Sequence, residues 1–207
     1  MILYLELLSM NIKKILFLVA SIISFAIIQL FFIVNSISQE NNSKYYSQDA
    51  GILSLMYHRF NENKYPSTNV RMPVFKEQMS IISDSNYKFY NPELFVDEFK
   101  KVKNKKQILI TVDDAFKSFY TEAWPYLKEN KIPFILFVST EPVGKNGYMN
   151  WEEIKEIENS NIGIIGHHSH THEYLIDMEE KDFINDIETA TKIFKEQLGY
   201  SPLIFSY

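Results

Sequence analysis

No cysteine occurs in the 207 residues, which excludes a disulfide framework and any thiolate metal site. A metal in this protein has to be held by nitrogen and oxygen. Charge of one sign is not concentrated either. The 21 Lys and Arg stand against 26 Asp and Glu, a formal net charge of -5, with no basic block, so no surface built to neutralise phosphates is expected and nucleic acid is excluded as a partner. Internal repeats and low-complexity tracts are absent. Histidine is also scarce: there are five in all, yet His167, His168, His170 and His172 fall together in "IGHHSHTHEY".

Apolar residues are plentiful, at 46% with 15% aromatic, enough for one core and one catalytic-sized domain. Lys13 and Lys14 precede an uncharged run, Ile15 to Val34, about as long as the ~20 residues that cross a bilayer. It lacks the polar face of a soluble helix. Ser36 and Ser38 suit cleavage after Ser38, whereas the run exceeds the ~7–15 residues of a signal-peptide core, so a cleaved signal and a retained anchor both fit. Basic residues before the run orient the remainder away from the cytoplasm. The expected organisation is an export signal or membrane anchor over 1–38, a polar linker over 39–51 and a folded domain over 52–207. The domain is then extracytoplasmic, membrane-anchored or secreted.

From Ile52 onward, short apolar runs alternate with amphipathic stretches. "ILSLMY" (52–57), "QILITV" (107–112), "PFILFV" (133–138), "IGIIG" (162–166) and "LIFSY" (203–207) read as buried strands. Between them, Phe75, Met79 and Ile82 share a helical face, as do Phe95, Phe99 and Val102 after Asn91-Pro92. Phe183, Ile187, Ala190, Phe194 and Leu198 form a stripe ending at Gly199, a natural C-cap. Pro125 divides its neighbourhood into two helical pieces, the second beginning near Trp124. Such alternation predicts a mainly parallel sheet or barrel with ligands at the carboxyl ends of the strands. The last run stops at Tyr207 with no helix to cover it, so the domain is expected to be incomplete.

Two strand ends carry chemistry. "ILITVDDAF" leads into Asp113 and Asp114, and "IGIIGHHSHTH" leads into the histidines. Adjacent residues of an extended segment point to opposite sides, so the two aspartates are expected to divide their roles, one at a metal and one toward substrate. A helix N-cap with first-turn charge is the bland alternative for the pair. Extended backbone puts His168, His170 and His172 on one face; helical backbone pairs His168 with His172. Either geometry keeps His168 and His172, and His167 is the expected bystander. Two histidines and one carboxylate leave an open position on a divalent ion such as zinc, and an unligated carboxylate can take a proton from water.

"TVDD" (111–114), "HSHTH" (168–172), "YLKENKIPFILFV" (126–138) and "NWEEIKEIENSNIGIIGHHSHTH" (150–172), with "LMYHRF" (55–60) and "FSY" (205–207), resemble the polysaccharide deacetylase family, the NodB-homology or carbohydrate esterase family 4 domain. The resemblance runs from about residue 52 to the end. It implies an α/β fold, a deformed (β/α) barrel incomplete in this chain, and hydrolysis of acetyl groups from N-acetylated polysaccharides. It also implies one divalent metal, zinc first with cobalt or nickel accepted, held by Asp114, His168 and His172, with Asp113 as general base. His170, the variable middle position of its motif, and His58, at the end of the first strand, become substrate or supporting contacts. Val112 and Ala115 stand where the family commonly has phenylalanine and glycine, and Ala115 implies that its position does not need a positive φ. The family's general-acid histidine would lie beyond residue 207. The competing readings are a metal-dependent phosphoesterase or other amidohydrolase, and a non-catalytic, membrane-tethered glycan-binding module.

Overall fold

The computed structural model describes residues 28–29, 52–94 and 106–207. The apolar run over 15–34, apart from Ile28 and Gln29, and the Phe95, Phe99 and Val102 face lie outside the described residues. No helix among the described residues is long and apolar enough to cross a membrane. The chain divides near residue 48, and all that follows concerns the unit Asp49–Tyr207.

Its centre is a parallel sheet. Strands β1 (Ile52–Tyr57), β5 (Gln107–Val112), β6 (Phe134–Val138) and β7 (Gly163–His167) lie in that order. The short β4 (Lys88–Phe89) also pairs with β5, and β2 (Arg59–Phe60) pairs with β3 (Asn69–Val70) in a separate ladder. Parallel pairing needs crossovers, supplied by helices α1 (Met72–Asp84), α2 (Trp124–Asn130) and α3 (Trp151–Glu158). Helix α4 (Glu180–Leu198) follows β7.

Local sequence accounts for the helix limits. Pro73 stands in the first turn of α1 and Pro125 in that of α2, where a missing N–H leaves nothing unsatisfied. The piece before Pro125, Phe119–Ala123, is a π-helical turn. Helix α3 opens on a reciprocal cap in which Asn150 accepts from the Glu153 amide and Glu153 accepts from the Asn150 amide. Helix α4 ends at Gly199 with φ +86°, the left-handed cap expected there.

Strand parity divides the apolar residues between two faces. Ile110, Val112, Phe134, Leu136, Val138 and Ile165 join the main core, where Phe75, Met79, Phe119, Leu127, Ile154, Ile157, Ala190 and Phe194 pack from outside the sheet. Leu109, Ile135 and Phe137 face the other way, with Ile52 and Ile164 against them. This second face is the inner one. Continued by two residues at a time, it leads to His58, Asp113, Ser139 and His168, one just past the carboxyl end of each main strand.

Three expectations need correction. Strand β1 is not buried: Leu53 and Met56 are exposed, because β1 ends the sheet and pairs only with β5 among the described residues. The run over 203–207 is not a strand but a single bridge, Phe205 to His167, tied by the His167 amide to the Ile204 carbonyl and the Ser206 amide to the His167 carbonyl. Phe183 does not join the buried stripe of α4, since it precedes the part of the helix that meets the sheet and is exposed. In its place the buried face carries Asp186, followed at four-residue steps by Ala190 and Phe194.

Candidate metal centre

The aspartate turn comes first. The Asp113 amide donates to the Tyr57 carbonyl at 2.9 Å, extending the β1–β5 ladder one step beyond Val112 and setting His58 beside Asp113. Asp113 keeps the parity of β5 and faces inward. Asp114 then takes φ +74° and Ala115 φ +52°, which ends the extended run. The expectation of opposite-facing aspartates fails for this reason: both carboxylates reach the same imidazole, with Asp113 Oδ2 3.8 Å and Asp114 Oδ1 3.4 Å from His168 Nε2. Ala115 is corrected too, because it occupies the left-handed region that favours glycine.

The histidine turn is neither extended nor helical. Strand β7 ends at His167, whose outward parity places its ring between Phe194 and Phe205, with centroids 5.1 and 5.3 Å away. Its Nδ1 accepts from the Ser169 amide at 3.1 Å, and burial lowers its pKa. His167 is thus a packing residue, the expected bystander. His168 faces inward beside Gly166, where a Cβ would come within 2.3 Å of the Phe137 ring. Ser169 at φ +66° and His172 at φ +63° reverse the chain, so His172 Nε2 comes to 3.0 Å from Asp114 Oδ1 and its ring to 4.7 Å from that of His168. The same reversal turns His170 away, and its Nδ1 meets Thr140 Oγ1 at 2.8 Å.

One nitrogen, one carboxylate oxygen and a second nitrogen, from His168, Asp114 and His172, therefore lie within 4.8 Å of one another. The tautomer of His168 decides what they can hold. Its Nδ1 lies 2.8 Å from the Ser206 carbonyl, a pure acceptor, so Nδ1 carries the proton and, in the neutral ring, Nε2 presents a lone pair to Asp114. Acceptor then faces acceptor at 3.4 Å, and a positive ion or a proton has to sit between them. An imidazole whose distal N–H is pinned by a carbonyl is the usual arrangement behind a metal ligand. The donor set fits a divalent ion with nitrogen and oxygen preference.

The two carboxylates differ electrically. Burial alone would raise the Asp114 pKa, but the two imidazoles of His168 and His172 beside it outweigh burial and hold the carboxyl far below the ordinary range. For Asp113 burial wins. Its pKa is raised, against opposing pulls from His168 and His58 and a weak contact from Ser206 Oγ to Oδ2 at 3.4 Å. Asp113 Oδ1 is buried without a hydrogen-bond partner among the described residues. The Asp114 contact raises the pKa of His172.

Sequence reasoning missed the braces of the histidine turn. Ser139 Oγ donates to the His168 carbonyl at 2.6 Å. Asp186 accepts from the amides of His170 (2.8 Å) and Thr171 (2.9 Å) and from Thr171 Oγ1 (2.7 Å). Its signal was available: a carboxylate four residues before Ala190 on the apolar stripe of α4 has no reason to be buried unless it serves a partner.

Two cavities border His172. One, of about 340 Å³, is walled by Tyr174, Leu175, Ile176 and Tyr207 beside His168 and Ser206. The other, of about 440 Å³, is walled by Arg59, Phe116, Ser139, Glu141, Lys145 and Tyr148 beside Asp114.

A family model described as "Polysaccharide deacetylase" matches residues 100–207. The poly-beta-1,6-N-acetyl-D-glucosamine N-deacetylase of Staphylococcus aureus (strain N315) is 26% identical over 153 residues, covering 67% of this chain and 53% of that protein. Among solved structures, IcaB from Ammonifex degensii superposes with a TM-score of 0.67 at 28% identity, covering 77% of this chain and 74% of that one. The Streptococcus pyogenes deacetylase PplD, solved in complex with acetate, shares the fold at a TM-score of 0.68 and 21% identity, with coverage of 77% and 74%. This chain spans about half the length of the curated relatives it matches.

Proposed function

The chain belongs to the polysaccharide deacetylase family, and from that premise we propose that it supplies the metal centre and base of a metal-dependent N-deacetylase. The substrate class is an N-acetylated polysaccharide of the cell surface or extracellular space. The activity printed for the S. aureus relative, on poly-β-1,6-N-acetylglucosamine, supports that class. Asp114, His168 and His172 hold one divalent ion, zinc first and cobalt or nickel as alternatives. Such an ion, when bound, lowers the pKa of water and polarises an acetyl carbonyl.

The remaining chemistry belongs to the side chains. As the oxygen of water bonds to the acetyl carbon and the C–N bond breaks, the proton of the water passes to Asp113. The partnerless Oδ1 is the free acceptor for it, and the raised pKa makes this carboxylate a stronger base than an exposed one. Ser206 and His58 flank the base, the first by hydrogen bond and the second by charge. The proton that Asp113 takes from water balances the one the amine nitrogen gains as it leaves. His170, bonded to Thr140, shapes the turn and does not reach the ion.

The observation that carries this reading is the Ser206 carbonyl 2.8 Å from His168 Nδ1 with Asp114 Oδ1 3.4 Å from Nε2, a pairing that only a cation or a proton on the Nε2 side resolves. The test is acetate release from N-acetylglucosamine oligomers by the full-length protein with Zn²⁺, Co²⁺ or Ni²⁺ supplied. No release with any ion, or equal release by Asp113→Asn, would sink the proposal; equal glycan binding with and without chelator would favour a non-catalytic binding module instead. We also propose export, with the run over 15–34 as signal or anchor, on the strength of its length and uncharged character. Cell fractionation that left the protein in the cytoplasm would remove it.

A further inference from the structure

The connection between β6 and α3 carries the one Asn-Gly pair in the sequence, Asn146-Gly147. The Tyr148 amide donates to the Lys145 carbonyl at 3.1 Å, so Lys145 to Tyr148 form a β-turn. Gly147 stands third in it with φ +88°, the left-handed value that suits glycine at that position. Asn146 and Gly147 are both exposed, and a Cβ built on Gly147 would meet nothing within 4 Å.

Hydrogen bonding singles the pair out. Among the described residues, the Asn146 side chain has no partner, the Asn146 carbonyl accepts nothing and the Gly147 amide donates to nothing. The peptide unit between the two residues is bound at neither edge and can turn without breaking a bond. Other asparagines are tied down: Asn61 accepts from the Met72 amide, Asn69 brackets the backbone of Glu62, and Asn150 caps α3. After Asn159, the Ser160 amide is committed to the Ile157 carbonyl at 3.0 Å.

A free amide nitrogen directly after a free carboxamide is placed for internal attack. The Gly147 nitrogen loses its proton and bonds to Asn146 Cγ, the bond from Cγ to the side-chain nitrogen breaks, and that nitrogen leaves with the proton as ammonia. Water then opens the cyclic imide at either carbonyl, leaving aspartate or isoaspartate. Water is consumed, ammonia is released and nothing is oxidised.

The product matters because of what the loop holds. The Gly147 carbonyl accepts from the Lys117 amide and the Ala115 carbonyl from the Met149 amide, both at 2.9 Å. These two bonds clamp Phe116 against Tyr148, with centroids 5.0 Å apart, directly after the left-handed residues Asp114 and Ala115. An isoaspartyl link routes the backbone through Cβ and Cγ. That inserts an extra atom between the Lys145 carbonyl and the Tyr148 amide, and the turn that sets Gly147 opposite Lys117 no longer closes.

We propose that Asn146-Gly147 is a site of spontaneous modification, where loss of ammonia and formation of isoaspartate release the loop from the turn that presents Asp114. This goes beyond the deacetylase reading and does not depend on it.

The test ages the full-length protein in warm, mildly alkaline buffer beside Asn146→Gln, follows conversion by peptide mass mapping and isoaspartyl methyltransferase labelling, and reads amide hydrogen exchange. Conversion at Asn146 should run roughly tenfold faster than at Asn159, because glycine leaves its nitrogen uncovered. Exchange at the Lys117 and Met149 amides of the aged protein should rise roughly tenfold, with the amides of β5 unchanged. Asn146→Gln, whose longer side chain closes the ring poorly, should age with neither change. Fresh Asn146→Asp, which has the charge without the inserted atom, should exchange like fresh wild type. Conversion at Asn146 no faster than at Asn159, or conversion that leaves Lys117 and Met149 as protected as before, overturns the proposal. Faster exchange in fresh Asn146→Asp also overturns it, since charge and not the inserted atom would then be the cause.

Discussion

The aspartate turn and the histidine turn meet at one point but are held in opposite ways. Asp113-Asp114 continues a central strand, keeps the ladder for one more hydrogen bond and bends through two left-handed residues, so the sheet itself sets the course of this turn. The histidine turn leaves its strand at His167, carries the half-exposed His172 (53%, against 6% for His168), and is braced from outside by Ser139, Thr140, Asp186 and Ser206. A buried turn can rely on the sheet. An exposed one needs partners from elsewhere in the chain, and damage to those partners should reach the site indirectly.

The largest effects should come from the rigid side. Asp113→Asn is expected to lower kcat by about 10²–10⁴-fold, the usual weight of a general base, with zinc content by elemental analysis unchanged. The same variant should melt higher than wild type at pH 7 when metal-free. The sign follows from linkage: the folded pKa of Asp113 is raised, so its contribution is most favourable below the unfolded value near 3.8 and is lost as pH rises through the folded pKa, leaving a penalty at neutral pH that asparagine removes. A lower melting temperature for Asp113→Asn would contradict the burial argument.

Next comes the braced side. Asp186→Ala removes three hydrogen bonds, leaves two part-buried amides without their carboxylate acceptor, and should weaken zinc binding by roughly 10–100-fold, as loss of an orienting partner does; calorimetric titration checks it. Asp186 also shows the opposite pH sign. Burial would raise its pKa, but the bonds from His170 and Thr171 lower it on balance, so its stabilisation is present above the unfolded value near 3.8 and is lost as pH falls through the folded one. If Asp186→Ala binds zinc as tightly as wild type, the histidine turn holds itself and the contrast between the two turns collapses.

Smaller effects test the packing beneath. Gly166→Ala puts a methyl into the Phe137 ring and should lower stability by about 1–3 kcal/mol by chemical denaturation. His170→Ala removes one bond to Thr140 and should change zinc affinity less than Asp186→Ala does. If it instead matches His172→Ala, His170 belongs among the ligands.

Much of this arrangement was readable from local pattern. Short unbroken apolar runs located β5, β6 and β7 to within a residue; Pro125 and Gly199 marked helix limits because each acts on its own backbone. The spacing of His168 and His172 selected both under either regular geometry, although the backbone between them is neither. What failed were the readings that needed to know a neighbour. Leu53 and Met56 look buried in sequence and lie exposed on an end strand, and the last apolar run makes one bridge in place of a ladder.

The amino-acid order alone determined which chemistry is available: nitrogen and oxygen ligands without thiolates, two carboxylates at the end of an apolar strand, and a histidine cluster at the end of another. These follow from composition and from the two-residue period of extended chain. Only the tertiary structure decided that both aspartates face one imidazole, that His170 meets Thr140 and not the carboxylate pair, that Ser206 sets the tautomer of His168, and that a carboxylate from α4 steadies the turn. Positive φ values and contacts across many residues make those choices, and both depend on what packs against the chain from outside the local stretch.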